Sequence, residues 1–213
     1  MAGFRLVEWD ARGLAFERRA NAPEMQTFLG GVEPDEATVA RHERISQGIR
    51  DGTTSMFLIL VEEQPDPVGS VGFWEKQWRG EPVFELGWKV LPGFQGRGLA
   101  GGAVTEALSR AAATGRRRWG HAYPRIDNTG SNAVCRRTGF ELLGEVDFEY
   151  PKGNPIRCND WRFDLSAHPD AGSLDAGWAD AGPAGPGQLA AGCAGPGQFG
   201  AGSPDSGSTS RRA

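Results

Sequence analysis

The sequence has little cysteine, little histidine, little net charge and no long apolar run, and each shortage removes a class of function. The three cysteines among 213 residues, Cys135, Cys158 and Cys193, are too far apart for a disulfide framework or a metal knuckle. They read as reduced thiols. The three histidines, His42, His121 and His168, include no i, i+4 pair, so no metal site is expected. A net charge of −4 gives no bulk attraction for nucleic acid or an anionic membrane. No apolar stretch reaches the roughly 20 residues of a membrane-spanning helix, and the first residues show no charged-then-apolar leader. The expectation is a soluble cytoplasmic protein without metal, nucleic-acid or membrane partners.

What the chain does have is glycine, 32 residues of it, unevenly spread. From His168 onward Ala, Gly, Pro, Ser and Asp dominate, and AGPGQ occurs at Ala184–Gln188 and again at Ala194–Gln198. Such a segment buries too little apolar surface to offset its ordering entropy. Residues 1–166 read as one folded domain and 167–213 as a disordered tail.

Within the domain, period and turn signals alternate. Phe4 to Trp9 reads as a strand, and Arg12 to Arg19 and Met25 to Leu29 as short helical pieces. Pro34 stands where the first helical residue would be, ahead of an amphipathic helix over Asp35 to Arg50. Strands follow at Met56 to Glu62, Pro67 to Trp74 and Pro82 to Val90. A helix is expected from Leu99 to Ala113, a strand from Arg118 to Tyr123 and a helix from Thr129 to Arg137. Two final strands cover Phe140 to Tyr150 and Ile156 to Leu165. Hairpin-like connections early and crossovers later predict an α/β (α+β) fold with a mixed, mostly antiparallel central sheet and helices on both faces.

The most informative stretch is Gln95-Gly96-Arg97-Gly98-Leu99-Ala100, a glycine turn between a strand and a helix. Its unpaired N–H groups and the positive end of the helix dipole suit a phosphate-bearing ligand. Gly96 to Gly101 also satisfies GxGxxG, but a dinucleotide site needs an acidic residue about 20 positions on, at the end of the next strand. That strand, RWGHAYP, ends without one. No Gly-Lys-Ser/Thr follows, which excludes a P-loop.

The surviving pattern, Gln-x-x-Gly-x-Ala through Gln95, Gly98 and Ala100, resembles the cofactor signature of the acetyl-CoA-dependent N-acetyltransferases of the GNAT superfamily. One helix and one strand later, Asp127 to Phe140 resembles the Asn-x-x-Ser…Gly-Phe segment of the branch that includes ribosomal-protein N-terminal acetyltransferases. The resemblance spans about residues 3–165, by element order. It implies acetyl-CoA as acetyl donor and an amine, of a small molecule or a protein N-terminus, as acceptor. It also leaves a homodimer paired through the sheets open.

On that reading the backbone from Gln95 to Ala100, Leu99 included, holds the pyrophosphate. Gly96 and Gly98 allow close backbone approach, and Arg97 offers a charge, or is simply a solvated arginine. The resemblance implies that the backbone around Val90 pairs with the pantetheine arm. It also implies that Asn128 touches that arm, although the same position suits a helix N-cap. Alternation puts Val83, Glu85, Gly87 and Lys89 on one strand face. Glu85, a carboxylate on a central strand, is the candidate base, with a structural ion pair to Lys89 as the plain alternative. Glu75, Asp147 and Glu149 are weaker candidates. Many superfamily members carry a tyrosine where Cys135 stands, so the resemblance turns instead to Ser131 to protonate the leaving thiolate; local helix stabilisation is its alternative. Trp88 and Trp161 read as core, and Trp74 and Trp78 as the rim of the substrate mouth. A non-catalytic acyl-CoA-binding or sensing module is the competing function.

Overall fold

A computed structural model describes residues 3–150 and 153–172. Its elements are strands β1 (Phe4–Glu8), β2 (Thr54–Val61), β3 (Gly69–Trp78), β4 (Glu81–Val90), β5 (Trp119–Ala122), β6 (Glu141–Glu149) and β7 (Pro155–Asp164), with helices α1 (Arg12–Ala20), α2 (Pro23–Gln26), α3 (Asp35–Arg50), α4 (Leu99–Ala113) and α5 (Thr129–Arg137). The seven strands form one sheet in the order β1-β2-β3-β4-β5-β7-β6. Only β4 and β5 run parallel; every other neighbouring pair is antiparallel. The mixed, mostly antiparallel sheet expected from the sequence is present.

The main core lies between the sheet and α4. Phe84, Leu86, Trp88 and Val90, alternate residues of β4, meet Ala103, Ala107, Leu108 and Ala111 of the helix there. The alanines let the helix settle close to the sheet, and complete burial of a side chain such as Leu108 contributes roughly 1.5–3 kcal/mol. A second cluster, with Phe16, Ala20, Ile45 and Leu58, packs α1 and α3 on the opposite face. Trp88 and Trp161 are core residues, as expected.

Several boundaries differ from the sequence reading; the short helix expected at Met25 to Leu29, for example, is Pro23–Gln26. Strand β3 runs on to Trp78 because Glu75, Lys76, Gln77 and Trp78 pair with Phe84, Val83, Pro82 and Glu81. The hairpin closes through Arg79 (φ 50) and Gly80 (φ 83), the two positive φ values of a type I′ turn. Pro34 is the N-cap of α3, not its first helical residue. Packed structure also reaches past position 166: a 3-10 turn covers Leu165–Ala167, Ser109 donates to Asp170, and the Gly172 N–H donates to Ala112 O at 2.9 Å. The remainder of the expected tail, with both AGPGQ repeats and Cys193, lies outside the described residues. Among the described residues no helix is long and apolar enough to cross a membrane.

Candidate active site

The parallel ladder between β4 and β5 contains only Phe84↔Gly120 and Glu85↔His121, after which the strands part. In the β3–β4 ladder, Leu91 N–H donates to Val68 O at 2.9 Å. Hydrogen-bonded and non-bonded pairs alternate from there, so the backbone groups of Trp88 and Val90 point away from β3, into the opening. The gap thus offers a strand edge that no neighbouring strand covers.

A glycine turn closes one end of this gap. Pro92–Phe94 form a 3-10 turn, Gln95 is extended, and Gly96 (φ 74) and Gly98 (φ 83) are left-handed. Nothing lies within 4 Å of where a Cβ on Gly96 or Gly98 would stand. These glycines serve backbone conformation and open space, not packing. Gly98 caps α4 without a side chain, and no acidic residue occupies the first turn. The first intrahelical bond runs from Gly102 N–H to Gly98 O at 3.0 Å, so the N–H groups before it are available to an anion. The Gln95 amide ties the turn to the strand end, donating to Val90 O at 2.8 Å. Arg97 is exposed and folds back on its own loop, donating to Gly93 O at 3.0 Å with its guanidinium 5.0 Å from the Phe94 ring.

Across the gap lies the start of α5. Asn128 caps it, its Oδ1 accepting from Ser131 N–H at 3.0 Å. The half-buried Ser131 hydroxyl makes no hydrogen bond among the described residues. Asn132 pins this end of α5 to β7: its Oδ1 accepts from Asn159 Nδ2 at 2.7 Å and Trp161 Nε1 at 2.8 Å. Its Nδ2 donates to the Arg125 and Asn128 carbonyls, both at 2.8 Å.

Turn, strand edge and α5 enclose a cleft of about 1190 Å³. Val90, Gln95, Gly96, Gly98, Leu99, Ala100, Asn128 and Ser131, named from the sequence, all line it; Arg97 and Glu85 do not. The cleft continues to the other sheet face, where Trp74, Lys89, Glu17 and the α2 segment form its wall.

Glu85 is completely buried, and its Oε2 is 2.6 Å from Lys76 Nζ. The expected alternative partner, Lys89, is corrected to Lys76. Residues four apart on one strand are about 13 Å apart. Lys76 sits instead on the diagonal of the Trp74↔Glu85 pair, within reach of a long side chain. The Lys76 ammonium is also 4.5 Å from the Tyr123 ring centroid and 5.2 Å from that of Phe148. Beside it His121 Nδ1 meets Asp160 Oδ1 at 2.7 Å, and Trp78 Nε1 donates to Asp160 Oδ2 at 3.0 Å. Trp78 therefore belongs to this buried network and not to the rim, whereas Trp74 does wall the cleft. Burial, with the Glu85 and Asp160 carboxylates nearby, holds the Tyr123 phenol well above its ordinary range.

Lys89 pairs with Glu17, Nζ to Oε2 at 2.7 Å, and Arg41 Nη1 reaches the same oxygen at 3.2 Å. Arg41 also pairs with Glu33, which accepts from Tyr150 OH at 3.1 Å. Burial pushes the Glu17 carboxyl up, but Lys89 and Arg41 outweigh it and hold the group below the usual range. The sequence reading missed Glu17. Its signal was present: Gly13, Phe16, Glu17 and Ala20 are the buried stripe of α1, with a charge in an otherwise small and apolar row. Glu75 pairs with Arg117 at 2.8 Å, Asp147 with Arg157 at 3.2 Å, and Glu149 binds Gly153 N–H, all away from the cleft. Cys135 is buried and off the cleft, and desolvation raises its thiol far above the reactive range.

The described residues contain no His/Cys/Asp/Glu group that could hold a metal. Residues 4–141 match the family described as the acetyltransferase (GNAT) domain. The chain belongs to the GNAT acetyltransferases. Solved structures share the fold at low identity. RimL, a ribosomal L7/L12 alpha-N-protein acetyltransferase in complex with coenzyme A, is 21% identical with a TM-score of 0.64, over 80% of this chain and 96% of that one. The microcin C7 self-immunity acetyltransferase MccE, in complex with acetyl-CoA and AMP, is 17% identical with a TM-score of 0.62, over 76% and 92%. The putative acetyltransferase yncA from Salmonella typhimurium, with its cofactor acetyl-CoA, is 16% identical with a TM-score of 0.61, over 78% and 96%. Among curated proteins, sequence comparison finds no match. RimL is an enzyme of the kind that the Asp127–Phe140 run resembles.

Proposed function

We propose that this GNAT protein transfers an acetyl group from acetyl-CoA to a primary amine, on a small molecule or a protein N-terminus. The observation that carries the reading is the β4 edge at Trp88 and Val90, which no neighbouring strand covers, beside the glycine turn that reaches the Val90 carbonyl through Gln95, in one continuous cleft. The N–H groups from Gln95 to Ala100 bind the pyrophosphate, with the α4 dipole behind them. The pantetheine arm lies along β4 as an added strand, beside Asn128. Three solved relatives of the same fold hold CoA or acetyl-CoA, which supports this donor. Arg97, held on its own loop through Gly93 O and the Phe94 ring, stays near the phosphates as a surface charge.

The amine nitrogen attacks the thioester carbonyl carbon, the C–S bond breaks, and the sulfur leaves with the bond's electron pair. Ser131, whose hydroxyl makes no hydrogen bond among the described residues, donates a hydrogen bond to that sulfur, and the proton it passes to the thiolate is replaced from water in the open cleft. The ammonium formed at nitrogen loses its proton towards the open cleft. Glu85 is sealed beneath the sheet against Lys76, and we assign it to holding the strands together at the point where they part, not to proton transfer. Glu17, kept ionised by two cations, is a weak base. An α-amino group, with a pKa of about 7.7–8.0, is partly neutral at pH 7 and asks least of such a site. The cytoplasmic location expected from composition remains part of this proposal.

Calorimetry with acetyl-CoA, followed by CoA thiol release in an amine panel, tests the function. Micromolar binding with turnover is expected. Absence of acyl-CoA binding overturns the reading, and binding without turnover on any amine leaves a binding module.

A further inference from the structure

The side of the cleft proposed for the acceptor has an apolar wall that the core clusters engage only in part. Met25, Phe28 and Leu29, spaced i, i+3, i+4 through α2 and the turn after it, all line the cleft and are all partly exposed. Met25 and Leu29 touch core clusters at their edges, but Phe28 belongs to none. Its ring reaches across the mouth instead, where the Arg125 guanidinium carbon lies 5.8 Å from its centroid, on the loop that leads into α5. Trp74, buried in β3, supplies a further aromatic wall. A ring left half-wet in this way gains in proportion to the area that a ligand covers.

The charges at the same end are largely spent on one another. The carboxylates on the lining are Glu17 and Glu24. Glu17 is shared by Lys89 and Arg41, and Glu24, exposed near the rim, has no ion pair among the described residues. One unpaired carboxylate beside an apolar wall suits a single ammonium. It does not suit a polyamine or an amino sugar, each of which brings several cations needing partners.

Resting on the acetyl-transfer reading, we infer that the acceptor carries a bulky apolar side chain next to a single amine, of the kind found in Phe, Leu or Met, and that Phe28 determines this specificity. The chemistry is that of an α-amino compound, and its source is either a free amino-acid amide or the first residue of a peptide.

The test measures CoA release by the full-length protein with phenylalaninamide, a peptide beginning with Phe, glycinamide and spermidine. We expect kcat/KM for phenylalaninamide at least about tenfold above glycinamide and spermidine, the scale of discrimination that an apolar pocket provides. Phe28→Ala raises KM for phenylalaninamide about tenfold, while KM for acetyl-CoA and for glycinamide stays within about twofold, and Phe28→Leu restores most of the loss. The faster of the amide and the peptide names the source. Glycinamide or spermidine matching phenylalaninamide overturns the inference, as does an equal loss on every acceptor in Phe28→Ala. A wild-type protein that binds no acetyl-CoA is a different result, since it removes the acetyl-transfer reading beneath the inference.

Discussion

The two ends of the cleft are built by different means. The end proposed for the donor is backbone: a glycine turn, the first N–H groups of α4 and the β4 edge that no strand covers, with exposed side chains that face water or their own loop. The side proposed for the acceptor and the sheet face beneath it are side chains. Lys76 and Glu85 are buried together, Glu17 is clamped by Lys89 and Arg41, and His121 meets Asp160. A backbone site tolerates changes in most neighbouring side chains and fails when a Cβ enters the turn. A buried charge site fails when one partner is removed, because the other is left in a poor dielectric. One end should therefore break in binding and the other in stability.

The largest effect is expected from Lys76→Met. Leaving Glu85 without this partner costs roughly 3–5 kcal/mol, a fall of about 6–20 °C in Tm for a domain of this size, while acetyl-CoA affinity changes far less. Glu85→Gln should likewise lower Tm and leave the pH profile of kcat unmoved. A hundredfold loss of kcat at unchanged Tm would return Glu85 to the role of base. Next comes Gly98→Val: a β-branched residue at φ 83 is strained and its side chain enters the cleft. Acetyl-CoA Kd should rise on the order of 100-fold, with Tm falling by only a few degrees. An affinity within a few-fold of wild type would place the pyrophosphate elsewhere.

Ser131→Ala separates chemistry from both ends. Loss of a hydrogen bond to a developing thiolate, about 1.5–3 kcal/mol, predicts roughly a 10- to 100-fold lower kcat. KM for acetyl-CoA and Tm should hold, because the capping bond uses the Ser131 backbone and not its hydroxyl. The smallest effect is the acid response of Glu17. Its folded pKa lies below the ordinary glutamate value. The stabilisation it provides is therefore present above that value and is lost as pH falls through the folded value. Melting curves should show Tm declining from about pH 4.5 downward, and a Tm flat to much lower pH would remove Glu17 from the stability account.

The same contrast explains what was legible in the chain. Turn and cap chemistry is local, so Gln95 to Ala100 and Asn128 to Ser131 could be read from consecutive residues, and eight of the named residues do line one cleft. The Glu85 partner could not be read this way. Alternation within β4 offered Lys89, but the choice belongs to the register of β3 against β4, and β3 itself looked finished at Trp74 because Glu75 and Lys76 interrupt its apolar run. Arg79-Gly80 is a weaker hairpin signal than Asn-Gly, so the extension that carries Lys76 into the face stayed hidden. Glu17 was readable as a charge in a buried stripe. Its two cations, from α3 and β4, were not.

The sequence by itself determined the order of elements, the glycine turn, the cap of α5 and, through two motifs at the right separation, the family. These depend on φ preferences and hydrogen bonds between residues a few positions apart. Only the tertiary structure decided which charges meet, where the strands part, and that Phe28 faces the cleft rather than a core. Those depend on register and packing between segments distant in the chain, where a shift of a single residue exchanges the two faces of a strand.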